Sequence, residues 1–102
     1  MKKISQTNNY ESMIVINSAY NENEIKKIIY PYIKELKKLG ALSISIVTRG
    51  KRNLAYEIEN HKTGYFIQLY FDSFPNILPI YKTKLNLDKN ILRSVVINLS
   101  KK

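Results

Sequence analysis

Hydrophobic and polar residues alternate in several short stretches of the chain, and the first of these is Tyr10–Asn17. Alternate side chains of a strand lie on opposite faces of its sheet. One predicted face holds Tyr10, Ile14 and Ile16, and the other holds Met13 and Val15. Because both faces are partly apolar, the pattern predicts a central strand that is covered on both sides.

A second alternating stretch, Leu42–Val47, pairs hydrophobic residues with serines. This pattern is typical of a strand with one wet face, and it predicts that Leu42, Ile44 and Ile46 point to the core. Gly50 then interrupts the alternation, which predicts a bulge or a bend before the pattern resumes at Leu54–Ile58.

The polar run Asn60–Gly64 predicts a turn. The strand predicted after it, Tyr65–Asp72, has Tyr65, Ile67, Leu69 and Phe71 on one side and Phe66, Gln68 and Tyr70 on the other. A polar connection at Asn86–Asn90 precedes the last predicted strand, Leu92–Leu99, which is apolar on both sides.

Helical spacing predicts two helices, Asn21–Leu39 and Phe74–Asn86. Asn21 or Asn23 is placed to cap the first helix. Pro31 lacks a backbone donor and lies inside that helix, so we expect a kink or a late start there. Pro79 lies too deep in the second helix unless the regular helix begins late.

The predicted order is strand, helix, strand, strand, helix, strand. Two strand–helix–strand units with right-handed crossovers give an α+β fold, in which a four-stranded antiparallel sheet carries both helices on one face. The first and third strands are predicted to be central. We expect one domain over residues 10–99, a flexible tail at 1–9 and a basic tail at 100–102.

The chain has 102 residues, a net charge of +9 and no cysteine. An excess of positive charge favours a polyanionic partner such as nucleic acid, because each neutralised phosphate releases counterions. A solvated basic surface and a membrane surface are the alternatives. No apolar run approaches the ~20 residues of a membrane span, and the first residues lack the apolar segment of a secretory signal.

Catalytic and metal-binding patterns are not predicted. His61 is the one histidine, and without cysteine it does not complete a zinc site. The acidic residues show no pairing that singles out acid–base chemistry. Three scattered glycines do not form a phosphate-binding loop.

Four short segments, in order along the chain, carry a resemblance to a known family. They are Tyr10-Glu11, Gly50-Lys51-Arg52-Asn53-Leu54-Ala55-Tyr56, Gly64-Tyr65-Phe66 and Leu85-Asn86-Leu87-Asp88-Lys89-Asn90-Ile91-Leu92-Arg93. With them the chain resembles the family of bacterial-type small-subunit ribosomal protein six, over nearly its whole length. The departures are the N-terminal tail, Pro31, Pro79 and Glu57, where the family often has proline.

The resemblance implies a ferredoxin-like fold and a structural role in the small ribosomal subunit, without catalytic activity, cofactor or small-molecule substrate. Proteins similar to this one bind the central domain of small-subunit ribosomal RNA as a heterodimer with ribosomal protein eighteen. Lysine, isoleucine and asparagine, whose codons are A/T-rich, make up 40 of the 102 residues. This composition and the N-terminal tail suit a plastid-encoded member, and the cytoplasm of an A/T-rich bacterium is the alternative.

Arg49, Lys51 and Arg52 are the candidate RNA-binding residues, because a positive cluster beside a glycine bend can reach phosphates. The same charges would also protect an edge strand from unwanted pairing. Lys2 and Lys3 are further RNA-binding candidates, and so, less specifically, are Lys101 and Lys102. Arg93 is expected to pair with RNA, with Asp88 or with nothing.

The aromatic and apolar residues that we expect on or near the face without helices are Tyr10, Leu54, Tyr56, Phe66 and Tyr70. Such a patch stacks on bases or binds a protein. The candidate contacts for a protein partner are Leu54, Tyr56 and Phe66. Their placement depends on the bulge near Gly50, because a slip of one residue reverses every side chain.

Two other function classes share this order of elements. A stand-alone single-strand RNA-binding module of the RRM type needs a small residue between aromatics on the third strand, which Gly64-Tyr65-Phe66-Ile67 lacks. A small enzyme of the acylphosphatase type needs an arginine-containing phosphate loop after the first strand. Asn17–Asn21 contains neither glycine nor arginine.

Overall fold

The computed structural model describes residues 7–100. The candidate residues Lys2, Lys3, Lys101 and Lys102 lie outside this range. The elements follow the predicted order: β1 (Asn8–Asn17), α1 (Glu22–Lys38), β2 (Leu42–Ile58), β3 (His61–Ser73), a 3-10 turn (Pro75–Ile77), α2 (Leu78–Leu87) and β4 (Ile91–Asn98).

The four strands form one antiparallel sheet in the order β2-β3-β1-β4. The prediction that the first and third strands are central is therefore confirmed. Ile14 of β1 lies opposite Ile67 of β3 on one side and Ser94 of β4 on the other. Residues that share a face can be read from this register, since neighbouring Cα partners project to the same side of the sheet.

Both helices pack on one face of the sheet, and this side holds the hydrophobic core. The predicted alternation of β1 and β3 is confirmed there. The buried apolar residues include Tyr10, Ile14, Ile16, Ile67, Leu69 and Phe71 from the sheet and Ile25, Ile29, Leu36, Tyr81 and Leu85 from the helices. Among residues 7–100, no helix lies on the opposite face of the sheet, and we call this the uncovered face.

A capping box fixes the start of α1. Asn21 Oδ1 accepts from the backbone nitrogen of Glu24 at 2.8 Å, and Glu24 Oε1 accepts from the backbone nitrogen of Asn21 at 2.9 Å. The helix therefore begins at Glu22 and runs through the exposed Pro31. The expected late start at Pro31 is wrong, because the cap satisfies the first turn well before the proline.

The second helix begins late, as Pro79 required. A 3-10 turn at Pro75–Ile77 precedes α2, so Pro79 is the second residue of the regular helix. Backbone nitrogens in the first turn of a helix have no hydrogen-bond acceptor within the helix, so a proline there costs no helical hydrogen bond.

The turn between β2 and β3 is shorter than expected. Ile58 pairs with His61, and the two residues between them, Glu59 and Asn60, have φ of +48° and +69°. Two-residue turns with positive φ match the twist of the flanking strands. The predicted turn at Asn60–Gly64 is therefore wrong beyond Asn60, and His61 lies in β3 with its side chain partly buried.

Leu42 does not point to the core. Ser43 has a φ of +54°, and the pairing register of β2 shifts between Leu42 and Ser45. Leu42 consequently lies opposite Asp72 and is 62% exposed. Ile44 packs against the core, and Ile46 lies opposite Leu69 on the helix-covered side, although it is 45% exposed at the edge of the sheet.

Candidate nucleic-acid interface and the uncovered face

The three basic candidates of the central chain segment lie at a bulge in the edge strand β2. Thr48 pairs with Ile67 and Gly50 with Phe66, so Arg49 is the additional residue on the β2 side. Gly50 has a φ of +83°, which favours glycine. Arg49, Lys51 and Arg52 are all exposed. Bulges redirect side chains, and this one brings Arg49 over the uncovered face.

Arg49 and Arg52 are held close to each other along the strand. Arg52 Nε donates to the backbone carbonyl of Arg49 at 3.4 Å. Lys51 pairs with Tyr65, so the register places it towards the side of the sheet that carries the helices. The bulge thus presents positive charge on both sides of the sheet at one strand edge. These side chains are accessible to the phosphate backbone of a nucleic acid.

Gln68 and Glu11, neither of which was predicted as a site residue, form a polar row with Arg49 on the uncovered face. Arg49 Nε donates to Gln68 Oε1, and Gln68 Nε2 donates to Glu11 Oε2; the donor–acceptor distance is 2.5 Å in both hydrogen bonds. Gln68 is buried although no helix covers this face. Glu11, Arg49 and Gln68 are far apart in the sequence, and only the sheet register brings them together. No local sequence pattern therefore predicts this row.

The three partner candidates, Leu54, Tyr56 and Phe66, line one cavity of about 190 Å³. The other lining residues are Val15, Asn53, Ala55, Ile58 and Arg93. Phe66 lies opposite Val15 in the register, which places the cavity on the uncovered face. Leu54 and Phe66 are partly buried, whereas Tyr56 is 63% exposed.

Gly64 allows the strands behind this cavity to approach closely. A Cβ atom at Gly64 would lie 2.5 Å from Val15 Cγ1 and 3.4 Å from Leu54 Cδ2. Any side chain there would displace Val15, which is itself buried. The small residue therefore sets how tightly the β2–β3 hairpin closes over β1.

Arg93 forms the rim of the cavity together with Tyr56. Its Nη1 donates to the Tyr56 hydroxyl at 3.3 Å, and its guanidinium carbon lies 5.5 Å from the centroid of the Tyr56 ring. This is a cation–π geometry. Asp88, the alternative partner for Arg93, instead accepts from the Tyr32 hydroxyl and from the backbone nitrogen of Asn90.

The rest of the uncovered face adds exposed apolar surface at the opposite edge. Val95 and Ile97 of β4 are each 47% exposed, and they lie opposite Met13 and Glu11 of β1. Contiguous exposed apolar surface on a soluble domain is a mark of an interaction site.

Tyr10 is not part of this surface. It is 2% exposed on the helix-covered side, with its ring centroid 5.7 Å from that of Phe71. The expectation that Tyr10 lies on or near the uncovered face is therefore wrong. Tyr10 precedes Ile14 and Ile16 by an even number of positions, so all three side chains lie on the helix-covered face of β1.

Raised pKa values occur in the helix layer, away from this surface. Burial raises the pKa of Tyr81 to about 12, and burial together with a hydrogen bond to Asp88 raises the pKa of Tyr32. Residues 7–100 contain no group of three acidic, histidine or cysteine side chains placed to hold a metal ion. None of the helices in this range has the length and apolar composition needed to cross a membrane.

Comparison with known proteins identifies the family. A family model described as Ribosomal protein S6 matches residues 9–98. The small ribosomal subunit protein bS6c of Trieres chinensis is 41% identical over 95 residues, which cover 93% of this chain and 99% of that protein. The small ribosomal subunit protein bS6 of Helicobacter acinonychis (strain Sheeba) is 32% identical over 93 residues, covering 91% of this chain and 66% of that protein.

The solved structures agree on the fold. The crystal structure of 30S ribosomal protein S6 from Thermotoga maritima superposes with a TM-score of 0.85 at 22% identity, and the match covers 91% of this chain and 88% of that chain. The predicted four-stranded antiparallel sheet with two helices is therefore confirmed. The resemblance inferred from the four sequence segments is confirmed as well, and the chain belongs to the family of ribosomal protein S6 of the small ribosomal subunit.

Proposed function

We propose that this chain is a structural constituent of the small ribosomal subunit that binds the central domain of small-subunit ribosomal RNA together with ribosomal protein eighteen, as a heterodimer. Membership of the ribosomal protein S6 family supports the ribosomal role. The protein acts by complementarity of shape and charge. Holding RNA segments in place requires no turnover, so the function needs neither a catalytic residue nor a cofactor.

In this proposal the RNA contacts are Arg49, Lys51 and Arg52, with Lys2 and Lys3 as additional contacts. Exposure of the first three on a bulged strand edge supports the assignment. Arginine can donate to two phosphate oxygens at once, whereas lysine contributes a point charge. The contacts fix the position of the protein on the RNA backbone and do not by themselves read a base sequence.

The partner contacts in this proposal are Leu54, Tyr56 and Phe66. Their convergence on one cavity supports a site that receives an apolar anchor of ribosomal protein eighteen. Buried anchors in well-packed pockets dominate the binding energy of protein interfaces. The exposed Val95 and Ile97 extend the apolar surface available to the same partner.

One observation carries the proposal: Arg49 of the basic bulge lies over the same uncovered face as the apolar cavity, where its Nε donates to Gln68. A single protein is thereby able to contact RNA at the strand edge and a protein across the sheet. A stand-alone RRM-type module is less well supported, because Met13 and Gln68 occupy the middle of β1 and β3 on this face where that module stacks bases on aromatics.

A gel shift tests the proposal. The probe is a central-domain fragment of small-subunit ribosomal RNA, with and without ribosomal protein eighteen, at two salt concentrations. We expect a tight, salt-sensitive complex only when both proteins are present. Binding of arbitrary single strands by this protein alone would support the RRM-type alternative and overturn the heterodimer.

We also propose that the host ribosome is that of a plastid. Two relatives named bS6c are 41% and 40% identical to this chain, whereas the bacterial bS6 relative cited above is 32% identical. Sedimentation of the protein with small subunits from isolated plastids tests this assignment. Its recovery only with ribosomes of a bacterial cytoplasm would support the alternative.

A further inference from the structure

A row of three polar side chains crosses three adjacent strands on the uncovered face. Arg49 of β2 donates to Gln68 of β3, which donates to Glu11 of β1. Both hydrogen bonds measure 2.5 Å, and the central Gln68 is 7% exposed. The row begins at the residue that bulges out of β2 and ends on a central strand.

The direction of the two hydrogen bonds is set by Glu11. A carboxylate only accepts hydrogen bonds, so it selects the amide nitrogen of Gln68 and turns the amide oxygen towards Arg49. That oxygen in turn accepts from Nε. Among the described residues, Nε is the only part of the Arg49 guanidinium that takes part in a hydrogen bond. The four hydrogens on its Nη atoms stay available to an anion.

We propose that Gln68 and Glu11 are positioning residues that hold the Arg49 side chain ready for a phosphate of the bound RNA. The inference rests on the proposed function, in which Arg49 contacts RNA. A free arginine side chain loses much conformational freedom when it binds. A side chain held at Nε has already lost part of that freedom, so less binding energy is spent on ordering it.

The same row connects the RNA contact to the partner surface. Glu11 lies opposite the exposed Ile97 and opposite Tyr70 on the uncovered face. A protein that covers this face removes water from the partly exposed Glu11, next to the already buried Gln68. Hydrogen bonds strengthen where water is excluded, so partner binding tightens the hold on Arg49. RNA binding that depends on the partner is the expected consequence.

The first measurement uses the protein alone and follows the Nε–H signal of Arg49 by NMR. In the wild type we expect slow exchange with water and an order parameter near that of rigid backbone, about 0.85. Gln68→Met keeps the length of the side chain and removes both hydrogen bonds, so the order parameter should fall below about 0.6. An unchanged Arg49 signal in Gln68→Met would overturn the proposal.

Glu11 is tested with two variants of equal charge change. Glu11→Gln removes the carboxylate that orients the amide, and Glu57→Gln removes a carboxylate from the exposed surface of β2. We expect the Arg49 signal to change in the first variant and to stay as in the wild type in the second. Equal effects of the two variants would mean that Glu11 acts only through net charge.

The second measurement is a double-mutant cycle on RNA affinity, with ribosomal protein eighteen present throughout. Arg49→Met is expected to weaken binding about tenfold, and Gln68→Met about threefold to tenfold. In the Arg49→Met background, Gln68→Met should change the affinity less than about twofold. A purely structural role for Gln68 would instead weaken binding equally in both backgrounds.

The outcomes separate the two proposals. Failure of the wild-type protein and its partner to bind the RNA fragment overturns the proposed function, while the Nε–H signal still decides whether Gln68 orders Arg49. Normal RNA binding with independent effects of Arg49→Met and Gln68→Met overturns the positioning role and leaves the proposed function standing.

Discussion

The hydroxyl groups of Ser12 and Tyr81 share a hydrogen bond of 2.8 Å between the central strand β1 and helix α2. Both residues are fully buried, and the Tyr81 ring also packs edge-on against Phe71 and Tyr32. A polar pair in a hydrophobic core is tolerated because each hydroxyl satisfies the other. The pair therefore fixes where α2 lies on the sheet.

Removal of both hydroxyls of this pair should destabilise the fold by less than the two single removals added together. Tyr81→Phe leaves the Ser12 hydroxyl buried without its partner, which costs about 1–3 kcal/mol. We expect the double variant Ser12→Ala/Tyr81→Phe to be less destabilised than the sum of the single variants. Urea unfolding measures all three free energies, and strictly additive values would contradict the coupling.

Alkaline pH should weaken the fold through Tyr81. Its pKa in the folded protein is about 12, raised by burial from an ordinary value of 10.0. The folded state thus binds the proton more tightly than the unfolded state, and the stability from this difference is fully present below pH 10. As pH rises from 10 to 12 it should decline by an amount on the order of 1–3 kcal/mol.

The control for this pH dependence is Tyr81→Phe, measured by urea unfolding at the same series of pH values. Its stability should decline less steeply above pH 10, and the raised pKa of Tyr32 should contribute to the slope that remains. A slope identical to that of the wild type would show that Tyr81 does not contribute.

Gly64→Ala should destabilise the hairpin by contact with its neighbour. The added Cβ would meet Val15 Cγ1 at 2.5 Å, and overpacking of this kind costs about 1–3 kcal/mol. Val15→Ala removes that methyl group, so the double variant should cost less than the sum of the two single variants. Thermal unfolding measures the stability of the three variants. If the two single effects add up to the effect of the double variant, the strain does not come from the contact between residue 64 and Val15.

Neutralisation of Lys51 and Arg52 together should weaken RNA binding in the presence of the partner. Each lost phosphate contact reduces the dependence of affinity on salt by about one unit of slope. The matched control is Lys37→Gln/Lys38→Gln in the last turn of α1, which removes the same charge from the helix layer. Unchanged salt-dependent affinity in the Lys51/Arg52 variant would remove these residues from the interface.

Truncation of the cavity should weaken binding of ribosomal protein eighteen. Leu54→Ala and Phe66→Ala each remove an apolar wall, and loss of an interface anchor costs about 2 kcal/mol or more. Ile80→Ala is the control, because Ile80 is similarly apolar, 48% exposed and located on α2. Isothermal titration of the two proteins measures the difference, and equal effects at Phe66 and Ile80 would contradict the partner site.

Much of the fold could be predicted from periodicity because it depends on local sequence. The alternation of Ile14, Ile16, Ile67 and Leu69 assigns one face of each central strand to the core, and burial on that face is what holds the helices. The spacing of apolar residues along α1 and the cap at Asn21 likewise depend on residues only a few positions apart. Short-range patterns of this kind are visible without knowledge of the fold.

Features that depend on backbone conformation at single residues were harder to predict. Ser43 and Glu59 adopt positive φ although neither is glycine, and these two positions reverse the direction of Leu42 and shorten the β2–β3 turn. Positive φ costs such residues energy locally. Only the pairing of whole strands stabilises it, so a window of neighbouring residues does not reveal it.

By itself, the sequence determined the order of elements, the core faces of β1 and β3, the charge near Gly50 and the family. The tertiary structure decided which residues meet across the sheet: Arg49 with Gln68, Gln68 with Glu11, and Phe66 with Val15. The physical reason is that side-chain direction along one strand follows a period of two. Contact between strands depends instead on register, which bulges and turns shift one residue at a time.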